Sequence, residues 1–119
     1  MATLLEFCIF GEPASKANSR MIVRFGNRPA SIKSAKARAY EHQARLQLLE
    51  HKLTPVEGPV RVTMRIYYRT QRPDLDPSVV LDVLQGHAYA NDRQVREMHL
   101  YHDIDKESPR AVIRVEALT

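Results

Sequence analysis

Residues 60–69, VRVTMRIYYR, alternate apolar and polar side chains over their whole length. The apolar set is Val60, Val62, Met64, Ile66 and Tyr68, and the intervening set is Arg61, Thr63, Arg65, Tyr67 and Arg69. Because successive side chains of a strand point to opposite faces, this period of two predicts a half-buried strand with one apolar and one basic face. Two interpretations of the basic face stay open: an ordinary solvated surface, or a track for nucleic-acid backbone on which Tyr67 could stack a base.

The segments around this strand predict an alternating α/β chain. Before it, apolar residues recur at helical spacings of three and four: Ala37, Tyr40, Ala44 and Leu48. Ser34 is suited to cap that helix, and after the strand Pro77 and Gly86 are suited to the first position and the end of a second, shorter helix. The predicted elements in order are a strand Thr3–Phe10, a basic connection, a helix Ser34–Lys52, the strand described above, a helix within residues 78–86, and strands Val95–Tyr101 and Arg110–Leu118. The sequence therefore predicts a β-α-β-α-β-β mixed sheet with two helices, in a single small α/β domain over residues 1–119.

Length and composition narrow the class of protein. A chain of 119 residues, 44% hydrophobic and 27% charged, has the size and composition of one globular domain and not of a disordered, collagen-like or coiled-coil chain. The single cysteine, Cys8, excludes an internal disulfide and a cysteine-rich zinc site. No apolar run approaches the roughly 18 to 20 residues of a membrane helix, and Glu6 interrupts the apolar start, unlike in a secretory signal. We therefore expect a cytoplasmic protein.

Charge is segregated along the chain. The formal net charge of +4 combines 18 Lys and Arg with 14 Asp and Glu. Residues 11–38 carry seven basic side chains and one acid, Glu12, whereas residues 74–92 carry four acids and neither Lys nor Arg. A concentrated acidic segment beside basic ones can coexist with a bound polyanion when a cation neutralises the acids. The charge pattern therefore raises the question of a metal site.

The acidic segment contains a candidate metal site. Asp74 and Asp76 are two residues apart, so in extended backbone both side chains point the same way. Like charges this close favour a neutralising cation, and oxygen ligands suit Mg²⁺ or Mn²⁺. Asp92 is our candidate for a third ligand, and Asp82 is interpreted as a polar helix residue. In the alternative interpretation, Asp76 caps the second helix and Asp92 is an ordinary turn aspartate.

Other chemistries lack support in the sequence. The four glycines never approach a phosphate-loop spacing, and no glycine-flanked nucleophile is present. His99 and His102 are three apart on a predicted strand and would face opposite ways, so we interpret both as structural or surface residues. The Glu-x-Lys element at Glu50 precedes Asp74, which is the wrong order for a restriction-type nuclease core. Nucleotide hydrolysis, covalent catalysis and a histidine metal site are therefore not predicted.

Three stretches together resemble a known family. They are GEPASK at residues 11–16, RPDLDP at 72–77 and LDVLQGHAYANDRQV at 81–95. With an opening strand and a basic segment before a helix, these stretches resemble the RusA family of Holliday-junction resolvases. The resemblance implies a small homodimeric, Mg²⁺-dependent endonuclease, bacterial or phage-encoded, that nicks four-way DNA junctions symmetrically in recombination and repair. It also implies Asp74, Asp76 and Asp92 as catalytic metal ligands.

The sequence departs from the family pattern near these acids. Pro77 stands where the family has Asn, and the family's Lys in the first turns of the second helix has no counterpart. Spacing places a two-residue deletion between Asp76 and Asp82, and Asn91-Asp92 replaces an acidic pair. Lys16 or His87 is the candidate to replace the missing cation. These departures keep an alternative open, in which the protein binds branched DNA without cleaving it. An RNA-binding or purely structural protein is a third class.

Basic residues near the motifs are the expected DNA contacts, because phosphates attract Lys and Arg. They are Lys16, Arg20, Arg24, Arg28, Lys33, Arg69 and Arg72.

Overall fold

The computed structural model describes residues 4–14 and 20–118 and, for Arg20 and Phe25, the backbone alone. The strands are β1 (Leu4–Phe10), β2 (Arg20–Phe25), β3 (Arg28–Lys33), β4 (Val60–Tyr68), β5 (Val95–Ile104) and β6 (Arg110–Ala117). The helices are α1 (Ala35–His51) and α2 (Ser78–Leu84), and a short 3₁₀ turn spans Asp92–Gln94. The predicted small α/β fold with two helices is confirmed. Neither helix has the length and apolar character needed to cross a membrane, within the part of the chain described.

The main sheet is mixed and buries one face. Its strand order is β1-β6-β4-β5, with β4 and β5 parallel and the other neighbours antiparallel. In β4 every second residue is buried, as the alternation predicts. The buried set continues across the sheet through Phe7, Met64 and Ile113 and joins apolar residues of both helices in one core. The core therefore lies between this sheet face and the two helices.

The helices follow their sequence signals closely. Ala37, Tyr40, Ala44 and Leu48 of α1 are all buried, and the Ser34 hydroxyl accepts from the backbone N–H of Ala37 at 3.1 Å. In α2 the correction is small, because Pro77 occupies the cap position and not the first helical position. Gly86 follows the helix with φ of +90°, a conformation that favours glycine, so it ends the helix as predicted.

The predicted basic connection is wrong over its described part. Residues 20–33 form an antiparallel hairpin, β2 with β3, as a separate two-stranded sheet. The two strands meet at Gly26, whose φ of +64° suits a tight hairpin turn. The turn at Gly26-Asn27 was the available signal, but the flanking segments RMIVRF and RPASIK do not alternate apolar and polar residues. We call this hairpin the arm.

Candidate active site

The loop after β4 carries Asp74 and Asp76 and is held by the last residue of that strand. Tyr68 is fully buried, and its hydroxyl accepts from the backbone N–H of Asp76 at 3.2 Å and donates to the carbonyl of Asp74 at 3.1 Å. Burial raises the pKa of Tyr68, and the nearby carboxylates of Asp76, Glu12 and Asp74 raise it further against a lowering hydrogen bond from the Asp76 backbone. The phenol therefore keeps its proton and fixes the Asp-Leu-Asp backbone.

Asp76 has two oxygens with different surroundings. The residue is 7% exposed, and its Oδ1 accepts from the backbone N–H of Ser78 at 3.0 Å and from the Ser78 hydroxyl at 2.6 Å. Its Oδ2 is buried and accepts no hydrogen bond from any residue that the structure describes. One oxygen thus accepts hydrogen bonds from Ser78, the first residue of α2, and the other is buried without a described donor. A buried carboxylate oxygen without a donor is costly unless a cation or proton compensates it, so this side chain fits a divalent cation.

Asp92 lies in the turn that follows α2. Its backbone N–H donates at 3.0 Å to Oε1 of Gln85, the residue that follows the helix. The carboxylate is exposed and faces Tyr89, whose pKa is raised by burial first and then by Asp92 and Asp82. The Tyr89 hydroxyl also donates to the carbonyl of Leu81 at 3.3 Å, so the Asp92 carboxylate lies beside the middle of α2. Asp74 and Asp76 lie on the loop that precedes the same helix.

No three His, Cys, Asp or Glu side chains among the described residues stand close enough to share a metal ion. The candidate carboxylates are therefore Asp74 and Asp76 on the loop before α2 and Asp92 in the turn after it, and the three do not form a single ligand group.

Sequence reasoning missed three supporting residues. The alternation in β4 predicts Tyr68 as a core residue, and no sequence pattern indicates a hydrogen-bonding role for its hydroxyl. His102 donates from Nε2 to the carbonyl of Pro73 at 3.0 Å, and its ring centroid lies 4.7 Å from that of Tyr68. His99 and His102 do lie on opposite faces, opposite Thr63 and Ile66 respectively. His102 thus has the predicted structural role, at the candidate site itself.

Glu12 is the third missed residue. Its Oε2 accepts from the backbone N–H of Arg69 at 2.7 Å, and its Oε1 lies 3.9 Å from the Lys36 ammonium group. It therefore joins the end of β1 and the start of α1 to the loop that bears Asp74. Its position as the single acid in residues 11–38 was a signal that the sequence offered.

The predicted DNA contacts are distributed over two places. Arg69 and Arg72 are exposed in the loop that precedes Asp74, and Arg24 and Arg28 are exposed on the arm. Lys33 is paired instead, with Nζ 2.6 Å from Oε1 of the buried Glu41. Arg20 has a described backbone at the start of β2, and Lys16 lies outside the described residues. His87 lies between α2 and the 3₁₀ turn that begins at Asp92.

The basic face of β4 is largely neutralised by its neighbours. The guanidinium of Arg61 lies 2.7 Å from Glu97 and 3.7 Å from Glu116, and that of Arg65 lies 3.3 Å from Asp103. These partly exposed pairs contribute little stability, but they reduce the charge offered to a polyanion. The pairing supports the ordinary surface interpretation of this face.

Tyr67 is also engaged on that face. The guanidinium carbon of Arg110 lies 4.0 Å from the Tyr67 ring centroid, and Arg110 in turn pairs with Asp105 at 2.7 Å. A ring covered by a guanidinium is not free to stack a base.

Comparison with known proteins identifies the family of the chain. A search of the curated proteins found no match. The family model described as Endodeoxyribonuclease RusA matches residues 11–116, a range that contains the arm, Asp74, Asp76 and Asp92. This family implies Holliday-junction resolvase activity. The chain therefore belongs to the RusA endodeoxyribonuclease family.

Proposed function

We propose that the protein is a Mg²⁺-dependent endonuclease that nicks four-way DNA junctions. The observation that carries this proposal is the buried Oδ2 of Asp76, which accepts no hydrogen bond from a described residue, in a loop that also bears Asp74. In a chain of this family, a desolvated carboxylate oxygen beside a second carboxylate is suited to a hard divalent cation. Mn²⁺ has the same ligand preference and is the expected substitute.

The residues of the loop would hold the ion in a defined position. Asp74 and Asp76 are the proposed ligands, and Asp92 is the proposed third carboxylate, brought closer when DNA binds. When bound, the ion supplies an activated water and polarises the scissile phosphate. Tyr68 and His102 keep the loop backbone in place through the carbonyls of Asp74 and Pro73. The protein thus contributes preorganised ligands, which lowers the reorganisation that catalysis would otherwise require.

Cations beside the acids would bind the DNA backbone. Arg69 and Arg72 are exposed next to Asp74 and are suited to the phosphates that flank the cut. Two symmetric nicks across a junction require two sites related by a two-fold axis, so we propose that a homodimer is the active form. The expected biological setting is DNA recombination and repair in a bacterial or phage-infected cell.

A cleavage assay on a synthetic four-way junction tests this proposal. Wild type is expected to nick the junction with Mg²⁺ and to stop when the metal is chelated. Asp74→Asn and Asp76→Asn should lose cleavage while junction affinity, measured by fluorescence anisotropy, stays within about threefold. Asp82→Asn removes an exposed acid from α2 and is the matched control. Unchanged cleavage in both loop variants would reject the metal-site assignment.

A second function is favoured by the arrangement of the acids. Since no described group of three acidic, histidine or cysteine side chains could share a metal, the protein could bind branched DNA without cutting it. Pro77 in place of the family's Asn, and the lack of the family's lysine in α2, also favour binding without cleavage. Tight junction binding, with neither nicking in Mg²⁺ or Mn²⁺ nor carboxylate-dependent metal affinity, would establish this alternative.

A further inference from the structure

The arm has two different faces. Its register pairs Ile22 with Ser31 and Arg24 with Pro29, so these four residues share one face of the ribbon. All four are exposed, and the Ile22 side chain is 76% exposed. We call this the outer face, because Val23 and Ala30 on the opposite face are only partly exposed. Ile22 is thus a highly exposed apolar residue in the middle of the outer face, two residues from the exposed Arg24.

The base of the arm is fixed to the body of the protein. Lys33, the last residue of β3, pairs at 2.6 Å with Glu41 of α1, which is 5% exposed. Arg45, one helical turn further along α1, also contacts Glu41 at 3.4 Å. A buried carboxylate held by two cations is a directional anchor, whereas the far end of the arm carries the exposed Arg28. The arm is therefore a ribbon with an anchored base and a basic tip.

The molecule is elongated, and, among the described residues, the arm pairs with no strand of the main sheet. The radius of gyration is 15.1 Å and the extents are 54 × 33 × 26 Å. A compact chain of this length has a radius of gyration of about 13.5 Å. Six-residue strands give the arm a length of roughly 20 Å, and a two-stranded ribbon fits the major groove of duplex DNA. Its dimensions and charge match a nucleic-acid groove.

We propose that the arm enters the junction at its branch point, where Ile22 packs against an exposed base step. Arg24, on the same face, and Arg28, which lies at the tip and on the opposite face by register, contact the phosphates on either side. This proposal rests on branched DNA being the ligand and adds how the protein distinguishes a branch from linear duplex. Isolated exposed apolar residues are common, but one set among cations on a projecting ribbon has the composition of an intercalating wedge. At the branch point, the last base pair of each DNA duplex is already imperfectly stacked, so inserting an aliphatic side chain costs less there than inside a continuous duplex.

Two measurements test the arm directly. The first compares the affinity of Ile22→Thr for a four-way junction and for a linear duplex of the same sequences. Threonine keeps the β-branch and the strand preference but removes apolar surface, so we expect about tenfold weaker junction binding and unchanged duplex binding. Leu49→Gln removes another exposed aliphatic side chain, 62% exposed on α1, and should change neither affinity.

The second measurement uses a junction with 2-aminopurine at the branch. Its fluorescence should rise when wild type saturates the junction, because unstacking relieves quenching, and should stay at the level of free DNA when Ile22→Thr saturates it. Arg24→Gln should instead weaken binding to junction and duplex alike and reduce the salt slope by about one. Equal junction affinity and equal fluorescence for wild type and Ile22→Thr would overturn the proposal, even if metal-dependent cleavage is found. Tighter binding of the wild-type protein to duplex RNA than to the junction would also overturn the proposal.

Discussion

Two aspartates that flank α2 lie in opposite surroundings. Before the helix, Asp76 is buried, accepts from the first helical residue through one oxygen and leaves the other without a described donor. After the helix, Asp92 is exposed at the start of a turn that Asn91 and Gln94 stabilise through a reciprocal capping box, and its carboxylate faces Tyr89. Because a desolvated carboxylate gains more from a cation than an exposed one, we expect Asp76 to respond more strongly to a bound metal than Asp92.

The largest contrast is expected in cleavage. Asp76→Asn should reduce the rate of junction cleavage by at least about a hundredfold, because a neutral amide is a poor ligand for Mg²⁺ at a site that depends on preorganised charge. Asp92→Asn should reduce it by only about tenfold, since Asp92 is exposed and forms no described group of three ligands with Asp74 and Asp76. Single-turnover cleavage with saturating protein measures both rates. Equal losses in the two variants would make Asp92 a full member of the same site.

The hydroxyl of Tyr68 holds the loop that carries Asp74 and Asp76. Tyr68→Phe removes the hydroxyl that bridges the backbones of Asp76 and Asp74, so cleavage should fall by about tenfold while junction affinity is retained. Tyr101→Phe is the control, because Tyr101 is exposed on β5 and its ring lies 4.7 Å from the Arg65 guanidinium, away from the proposed ligands. It should leave cleavage close to wild type. A larger loss in Tyr101→Phe than in Tyr68→Phe would contradict the role assigned to the Tyr68 hydroxyl.

The sequence predicted the helices and strands of the main sheet more fully than the contacts between them. The strict alternation in residues 60–68 and the spacing of Ala37, Tyr40, Ala44 and Leu48 report burial directly, so β4 and α1 were predictable. The two aspartates of the loop were predictable from their spacing. Burial of one oxygen of Asp76 was not, because it depends on how the loop packs.

The ion-pair partners of the arginines could not be predicted from the sequence either, because they depend on how the strands pack. The basic face of β4 and the basic arm look alike as strings of residues, but Arg61 and Arg65 meet acids from neighbouring strands while Arg24 and Arg28 remain exposed. Which arginines remain available is decided by register across β4, β5 and β6, which involves residues more than thirty positions apart. Local patterns carry no information on such pairings.

Metal binding should stabilise the folded protein, and this gain should depend on Asp76 more than on Asp92. If Mg²⁺ binds the folded protein alone, a concentration ten times its Kd raises the free energy of unfolding by about 1.4 kcal/mol. Thermal unfolding with and without MgCl₂ measures this gain at constant ionic strength. The gain should vanish in Asp76→Asn and persist, reduced, in Asp92→Asn. A gain of equal size in wild type and Asp76→Asn would show that the ion stabilises the protein elsewhere.

The smallest expected effect concerns stability without metal. Asp76→Ala removes the cap at Ser78 but also removes a buried oxygen that has no described donor. Losing the cap costs about 1 kcal/mol, and relief of the desolvated oxygen offsets part of that cost, so urea denaturation should show a net loss below about 1 kcal/mol. Asp92→Ala should stay within about 0.5 kcal/mol of wild type, as for other exposed positions. If Asp76→Ala is more stable than wild type, the fold retains this carboxylate at a net cost to its stability. Such a cost is expected of a residue that is kept for binding a cation.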